Sequence, residues 1–176
     1  MIVLTCSGTG GHIYPAIAIG QHLGKENVVF MSEKDRLAAT IVPNYGFNLF
    51  KMSIKRSNLL SWIKAFKECL GFFKKNQINK VISTGGYATA PVVFAAWLFR
   101  IPIVLLEQNA IPGKANKLLS FFAKKVCISF EFSRSYLKHK HIVLTGNPIR
   151  KTYVADATSQ QVCSFNWIPG KKVLIF

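Results

Sequence analysis

Met1-Ile2-Val3-Leu4-Thr5-Cys6 is a short apolar run that feeds into Ser7-Gly8-Thr9-Gly10-Gly11-His12 and then Ile13-Tyr14-Pro15. The run reads as a buried strand, the glycines as a sharp turn, and the residues that follow as an amphipathic helix with Pro15 in its first turn. Strand, glycine turn and helix in that order open a parallel sheet wrapped by helices. A helix start presents unpaired N–H groups and the positive end of the helix dipole, so an anion is expected at this turn. His12 adds a possible base, since imidazole changes charge near neutral pH. A tight turn without a ligand and a purely structural histidine remain the plainer alternatives. The loop is neither G-x-G-x-x-G nor a Walker sequence, so it has to be weighed with its neighbours.

Outward from that unit the pattern repeats. Strands are expected at about 1–6, 27–32, 47–52, 80–83, 103–106, 125–128 and 142–144, with ends uncertain by roughly two to four residues. Helices are expected at about 14–24, 34–42, 59–75, 89–99, 114–122 and 132–137, from apolar periodicity and breakers such as Pro43-Asn44-Tyr45-Gly46. The fold class is therefore α/β, a Rossmann-like doubly wound parallel sheet. Ligands in such folds bind beyond the carboxyl ends of the strands. Residues 1–155 read as one domain and 156–176 as a linker followed by the first strand of another, Lys171-Lys172-Val173-Leu174-Ile175-Phe176. That final strand lacks partners in the sequence, as in a chain cut from a longer one or encoded as a separate half.

Half of the 176 residues are hydrophobic, enough for a real core, and 23 basic against 7 acidic side chains give a net charge of +16. Such an excess predicts attraction to nucleic acid, an anionic membrane or phosphorylated substrates. It is localised: residues 1–50 carry three basic and three acidic side chains, and 51–100 carry nine and one. Cys6, Cys69, Cys127 and Cys163 are widely spaced without a C-x-x-C pair, which fits free thiols in a reducing compartment. The start lacks a basic flank and a long apolar core, so no signal peptide is expected. The apolar stretch Ala88 to Leu106 is interrupted by Pro91, Arg100 and Pro102, so a helix and a strand are expected there and no membrane span.

Three further strand ends carry polar or glycine-rich loops. The fourth strand runs into Ser83-Thr84-Gly85-Gly86-Tyr87, which together with the first turn could cradle a diphosphate. The fifth ends in Glu107-Gln108-Asn109-Ala110-Ile111-Pro112-Gly113, where polar residues at the sheet's lip could touch a ligand or, for Asn109, cap the next helix. The seventh yields Thr145-Gly146-Asn147-Pro148-Ile149-Arg150, whose arginine could pair with a phosphate or simply face solvent.

These four loops, in order, resemble the MurG-type glycosyltransferases, over roughly residues 1–150. The matching elements are G-T-G-G-H, G-G-Y, E-Q-N with a glycine-containing loop, and G-N-P-I-R. One departure is Leu106, where family members often carry a histidine before E-Q-N. The resemblance implies the amino-terminal, acceptor-binding half of a GT-B enzyme that transfers GlcNAc from UDP-GlcNAc to the MurNAc 4-hydroxyl of lipid I, with inversion and without metal or other cofactor. It implies that Thr9, Gly10, Gly11, Asn109 and Arg150 meet the donor. The acceptor diphosphate would lie against Gly8, Gly10, Gly11, Thr84, Gly85, Gly86, Tyr87 and Gln108. His12 would be the general base, with Glu107 an alternative or an orienting partner. The partners implied are UDP-GlcNAc, lipid I, a carboxyl-terminal domain and the cytoplasmic face of the inner membrane, with peripheral attachment. The chain alone is expected to be inactive, because half the cleft would be absent.

Residues 59–75 carry Leu59, Trp62, Ile63, Phe66, Leu70 and Phe73 at helical spacing, flanked by Lys64, Lys67, Lys74 and Lys75. A stripe of this kind packs on a sheet in part. The surplus apolar residues Leu60 and Phe72, the basic collar and Trp97 point to an interfacial helix on anionic lipid. Two rival readings are a nucleic-acid-binding module, which the absence of zinc spacing, RNA-recognition aromatics and basic repeats disfavours, and a non-catalytic membrane-recruiting subunit of a split glycosyltransferase.

Overall fold

A computed structural model of the chain describes residues 1–150. The expected linker and final strand, the boundary at 155 and Cys163 lie outside the described residues. Seven strands form one parallel sheet: β1 Ile2–Thr5, β2 Val28–Glu33, β3 Leu49–Met52, β4 Lys80–Ser83, β5 Ile103–Glu107, β6 Lys125–Ile128 and β7 Ile142–Leu144. Their order is β3-β2-β1-β4-β5-β6-β7. Five helices connect them: α1 Gly10–Leu23, α2 Ala38–Asn44, α3 Leu59–Lys75, α4 Ala90–Leu98 and α5 Lys114–Leu119.

Alternation along the strands divides the apolar side chains between two cores. Val3, Met31, Val81 and Leu105 point to one face, where Ala65, Cys69 and Phe73 of α3 and Val92 and Ala96 of α4 cover them. Leu4 and Phe30 point to the other, under Ile13 and Ile17 of α1 and Val42 of α2. With both faces covered, the sheet is doubly wound, as its sequence pattern requires. The order reverses between β1 and β4, which pair in register from Ile2–Lys80 to Thr5–Ser83. Both strands end at the same level, so their following loops emerge side by side at the switch point where such folds bind ligands.

Four helix readings need correction. α1 begins at Gly10, not near residue 14, so Pro15 sits in the second turn and supplies no N–H to the Gly11 carbonyl. The second helix begins at Ala38, after a turn over 34–37, and runs through Pro43 to Asn44; Gly46, at φ +75°, then reverses the chain. The expected 114–122 helix tightens into a 3-10 turn at Ser120–Phe122, and the expected 132–137 helix is a 3-10 run over Glu131–Tyr136. By contrast α3 spans the expected residues, because Asn58 Oδ1 accepts from the Leu60 and Ser61 amides and fixes its start.

Cys6 and Cys69 are buried, and burial above all, then the charges of Glu33 and Glu68 respectively, push both thiols up to about 12. Burial also raises Cys127, which is half-exposed. The native protein at pH 8 should therefore leave Cys6 and Cys69 unlabelled by iodoacetamide over hours, whereas urea exposes both; mass spectrometry of the alkylated protein checks this. The stability these neutral thiols contribute is complete below about pH 9 and is lost as pH rises towards about 12.

Candidate active site

His12 lies in the first turn of α1, and its fixing depends on the neighbouring β4 loop. Its Nδ1 is 2.8 Å from the Thr84 carbonyl and 3.2 Å from Gln108 Oε1, both acceptors. Nδ1 must therefore carry the proton, which leaves the Nε2 lone pair free on a ring that lines a cavity. Thr84 returns the contact, its hydroxyl donating to the His12 carbonyl at 2.7 Å and its amide to the Thr5 carbonyl at 3.0 Å. The two strand-end loops are thus locked together around the imidazole.

Glycine allows that closeness. A Cβ on Gly86, which holds φ +94°, would meet the Ser7 carbonyl oxygen at 2.5 Å, so no other residue fits there without displacing backbone. Ser7 adds a bond across the gap, its Oγ accepting from the Ala88 amide at 3.3 Å.

Two buried carboxylates organise the loops. Glu33, at the end of β2, accepts from Ser7 Oγ at 3.0 Å and from the Gly8 amide at 3.1 Å. Glu107, at the end of β5, accepts through Oε1 from the Asn109 amide and Nδ2, at 2.9 and 2.8 Å. Its Oε2 accepts from the Gly113 amide and Asn116 Nδ2, each at 3.0 Å. Glu33 also accepts from the Ser32 hydroxyl of its own strand at 2.9 Å, so both acids spend their lone pairs on neighbouring donors.

What remains is a cavity of about 400 Å³ walled by His12, Gly86, Tyr87, Glu107, Asn109 and Asn116, with Arg56 and Lys114 also lining it. Among the described residues no acceptor is bonded to the Gly86 or Tyr87 amides, and no donor reaches Asn116 Oδ1, which is buried. Burial first, and then the charge of Glu33, raise the Tyr87 phenol above its usual range despite opposing pulls from Arg36 and Arg56, so it stays a neutral donor. Two cations, free amides and a neutral phenol suit an anionic ligand. Across α1, a second cavity of about 280 Å³ is lined by Gly10, Gly11, Tyr14 and residues Asn147 to Arg150. There the Arg150 guanidinium stacks 4.1 Å over the Tyr14 ring and donates to the Tyr45 hydroxyl at 2.5 Å. Among the described residues the Gly10 and Gly11 amides have no bonded acceptor, and no cluster of three His, Cys, Asp or Glu could hold a metal ion.

Residues 2–128 match the glycosyltransferase family 28 N-terminal domain. The chain belongs to glycosyltransferase family 28. Among relatives of the family 28 chain is the UDP-N-acetylglucosamine--N-acetylmuramyl-(pentapeptide) pyrophosphoryl-undecaprenol N-acetylglucosamine transferase of Caldicellulosiruptor saccharolyticus. It is 40% identical over 164 residues, 85% of this chain and 44% of the relative. The protein of the same name from Caldanaerobacter subterraneus is 43% identical over 162 residues, 82% of this chain and 44% of the relative. The chain spans about half the length of the curated relatives it matches. Among solved structures, Acinetobacter baumannii MurG superposes with a TM-score of 0.75 at 27% identity, covering 85% of this chain and 46% of that one. The UDP-GlcNAc 2-epimerase from Neisseria meningitidis, at 14% identity and a TM-score of 0.68, covers 92% of this chain and 51% of its own and shares the fold. The sheet is that of the amino-terminal half of a GT-B protein.

Within the family 28 domain several residue expectations change. Gly8 does not offer its amide to a ligand, because Glu33 takes it. Thr84 is buried and gives its hydroxyl to His12, and Gly85 is buried behind Asn116 and the imidazole. Glu107 accepts from four donors that tie its own loop together. Asn109 lines the His12 cavity, whereas Gly10, Gly11 and Arg150 line the other. Thr9 is exposed at the start of α1, and Gln108 stands against His12. On α3, Phe73 belongs to the core, and Leu70 packs against it. Sequence reasoning missed Glu33, Arg56, Lys114 and Asn116. Glu33 alone left a local signal, an acid closing the apolar run Val28 to Ser32.

Proposed function

We propose that this chain is the acceptor-binding half of a transferase that moves GlcNAc from UDP-GlcNAc to the MurNAc 4-hydroxyl of lipid I, giving lipid II. The observation that carries the reading is His12, held through Nδ1 with its Nε2 lone pair at the edge of a cationic cavity. The acceptor pyrophosphate is assigned to that cavity, against Arg56, Lys114 and the Gly86 and Tyr87 amides. The donor is assigned to the side of Gly10, Gly11 and Arg150, with the rest of its contacts coming from a carboxyl-terminal domain. Nε2 takes the hydroxyl proton as the oxygen attacks the anomeric carbon, and UDP leaves from the opposite face, inverting the centre. The imidazolium is steadied by its Nδ1–H bond to Thr84, and charge on the leaving UDP faces the start of α1. Joining this chain to the carboxyl-terminal half of one of the relatives above should give GlcNAc transfer to a lipid I analogue. Binding of UDP-GlcNAc without any transfer would sink the reading.

Peripheral attachment to the cytoplasmic face of the inner membrane belongs to the same reading. Ile63 of α3 is exposed beside Trp97 and Leu98 of α4, which are exposed too; Leu59, Leu60, Lys64, Lys67, Lys74 and Lys75 are also exposed on α3. No helix among the described residues is long and apolar enough to cross a membrane. Sedimentation with vesicles should show binding to phosphatidylglycerol-containing membranes at least about tenfold tighter than to neutral ones, at about 1 kcal/mol per engaged lysine. Leu60→Glu with Ile63→Glu should abolish that binding, and equal pelleting with both vesicle types would refute the attachment.

A further inference from the structure

Between α3 and α4 the exposed apolar surface sinks into a cavity of about 400 Å³, within the range of about 300–1,000 Å³ typical of small-ligand sites. One wall is Trp62, Ile63 and Phe66; the other is Pro91, Phe94 and Leu98. The Trp62 indole N–H donates to the Lys55 carbonyl at 3.1 Å, and Phe94 is braced edge-on by Phe122 at 4.9 Å, so both walls are fixed before anything enters. Trp62 also packs against Tyr87, ring centroids 6.0 Å apart, and Tyr87 lines the His12 cavity. A single aromatic pair therefore separates the anion-binding cavity from the apolar one. Along the chain, Tyr87, Pro91, Phe94 and Leu98 recur at intervals of four, three and four residues, the spacing of one helical face leading from the first cavity into the second.

We infer that this cavity holds the first part of the acceptor's prenyl chain, next to a pyrophosphate seated beside His12. The inference rests on the acceptor reading above and extends it to the hydrocarbon tail. The relatives' own names specify a pyrophosphoryl-undecaprenol acceptor, in which the prenyl chain begins at the diphosphate, as the apolar cavity begins one aromatic pair away from the His12 cavity. The recess offers no polar partner for the amide groups of a peptide, which would be left unsatisfied there, whereas a methyl-branched hydrocarbon loses nothing. A flat bilayer contact, for its part, needs no recess. The exposed residues around the rim would rest on lipid while one chain leaves the bilayer and enters between the helices.

The test titrates this chain, free of vesicles, with inorganic diphosphate, farnesyl diphosphate and dihexanoyl phosphatidylglycerol, each below its micelle concentration, following tryptophan fluorescence and heat. Farnesyl diphosphate should bind at least about tenfold more tightly than diphosphate, about 1.4 kcal/mol. Leu98→Glu or Ile63→Glu, both at exposed positions, should erase that gain while leaving diphosphate affinity unchanged. A farnesyl gain that survives both substitutions overturns the inference, as does phosphatidylglycerol binding as tightly as farnesyl diphosphate. Diphosphate binding with no farnesyl gain removes the prenyl site alone, whereas no binding of either diphosphate removes the acceptor reading with it.

Discussion

His12→Ala, in a protein restored to two domains, is expected to lower kcat by about 10²–10⁴-fold, the range that one positioned acid–base group supplies, while UDP-GlcNAc affinity changes little. The asymmetry follows from geometry. Nδ1 is spent on the Thr84 carbonyl and the ring lines the cavity proposed for the acceptor, whereas Gly10, Gly11 and Arg150, proposed to meet the donor, line a different cavity. A loss in turnover therefore should not bring a loss in donor binding. Because the ring also ties α1 to the β4 loop, His12→Gln serves as a control: it keeps a polar side chain at the junction without a basic nitrogen. Steady-state rates for both variants, with thermal melts alongside, separate the two roles. Turnover within a few fold of the parent in His12→Ala would remove the imidazole from the chemistry.

Glu107→Gln is expected to destabilise the domain by about 2–4 kcal/mol, because one carboxylate oxygen becomes an amide that points at donors. Whichever way the glutamine turns, its NH₂ faces either the Asn109 amide and Nδ2 or the Gly113 amide and Asn116 Nδ2. Two buried bonds become repulsive and the loop that carries Asn109 and Lys114 loosens. Urea unfolding followed by circular dichroism measures the change in midpoint, with an unaltered slope indicating that the unfolded state is the same. A catalytic base at this position would show the opposite pattern, a large fall in turnover with stability preserved. The same bonds show how a carboxylate at a strand end, which looks like a chemical group in sequence, ties the following loop together in the fold.

Much of the architecture could be read from one dimension. Short β-branched apolar runs gave all seven strands within a few residues, and the interval from Leu59 to Lys75 gave α3 whole, because its cap at Asn58 and its stripe are both local. Helix starts were read less well where glycine and proline stood together. Gly10 and Gly11 are poor helix formers in isolation, yet the Thr9 carbonyl, accepting from the His12 and Ile13 amides, draws both into α1.

The sequence by itself determined a parallel α/β domain with glycine turns at adjacent strand ends and a histidine beside them, since strand period, turn chemistry and helix stripe are all written within a few neighbouring residues. Only the tertiary structure decided which groups were left for a ligand. Glu33 claims the Gly8 amide from 25 residues away, Thr84 and His12 bind each other across 72, and Asn109 and Arg150 line different cavities. Each hydrogen-bond donor or lone pair is satisfied or left free by whatever the fold brings within about 3 Å, and spacing along a chain carries no record of that.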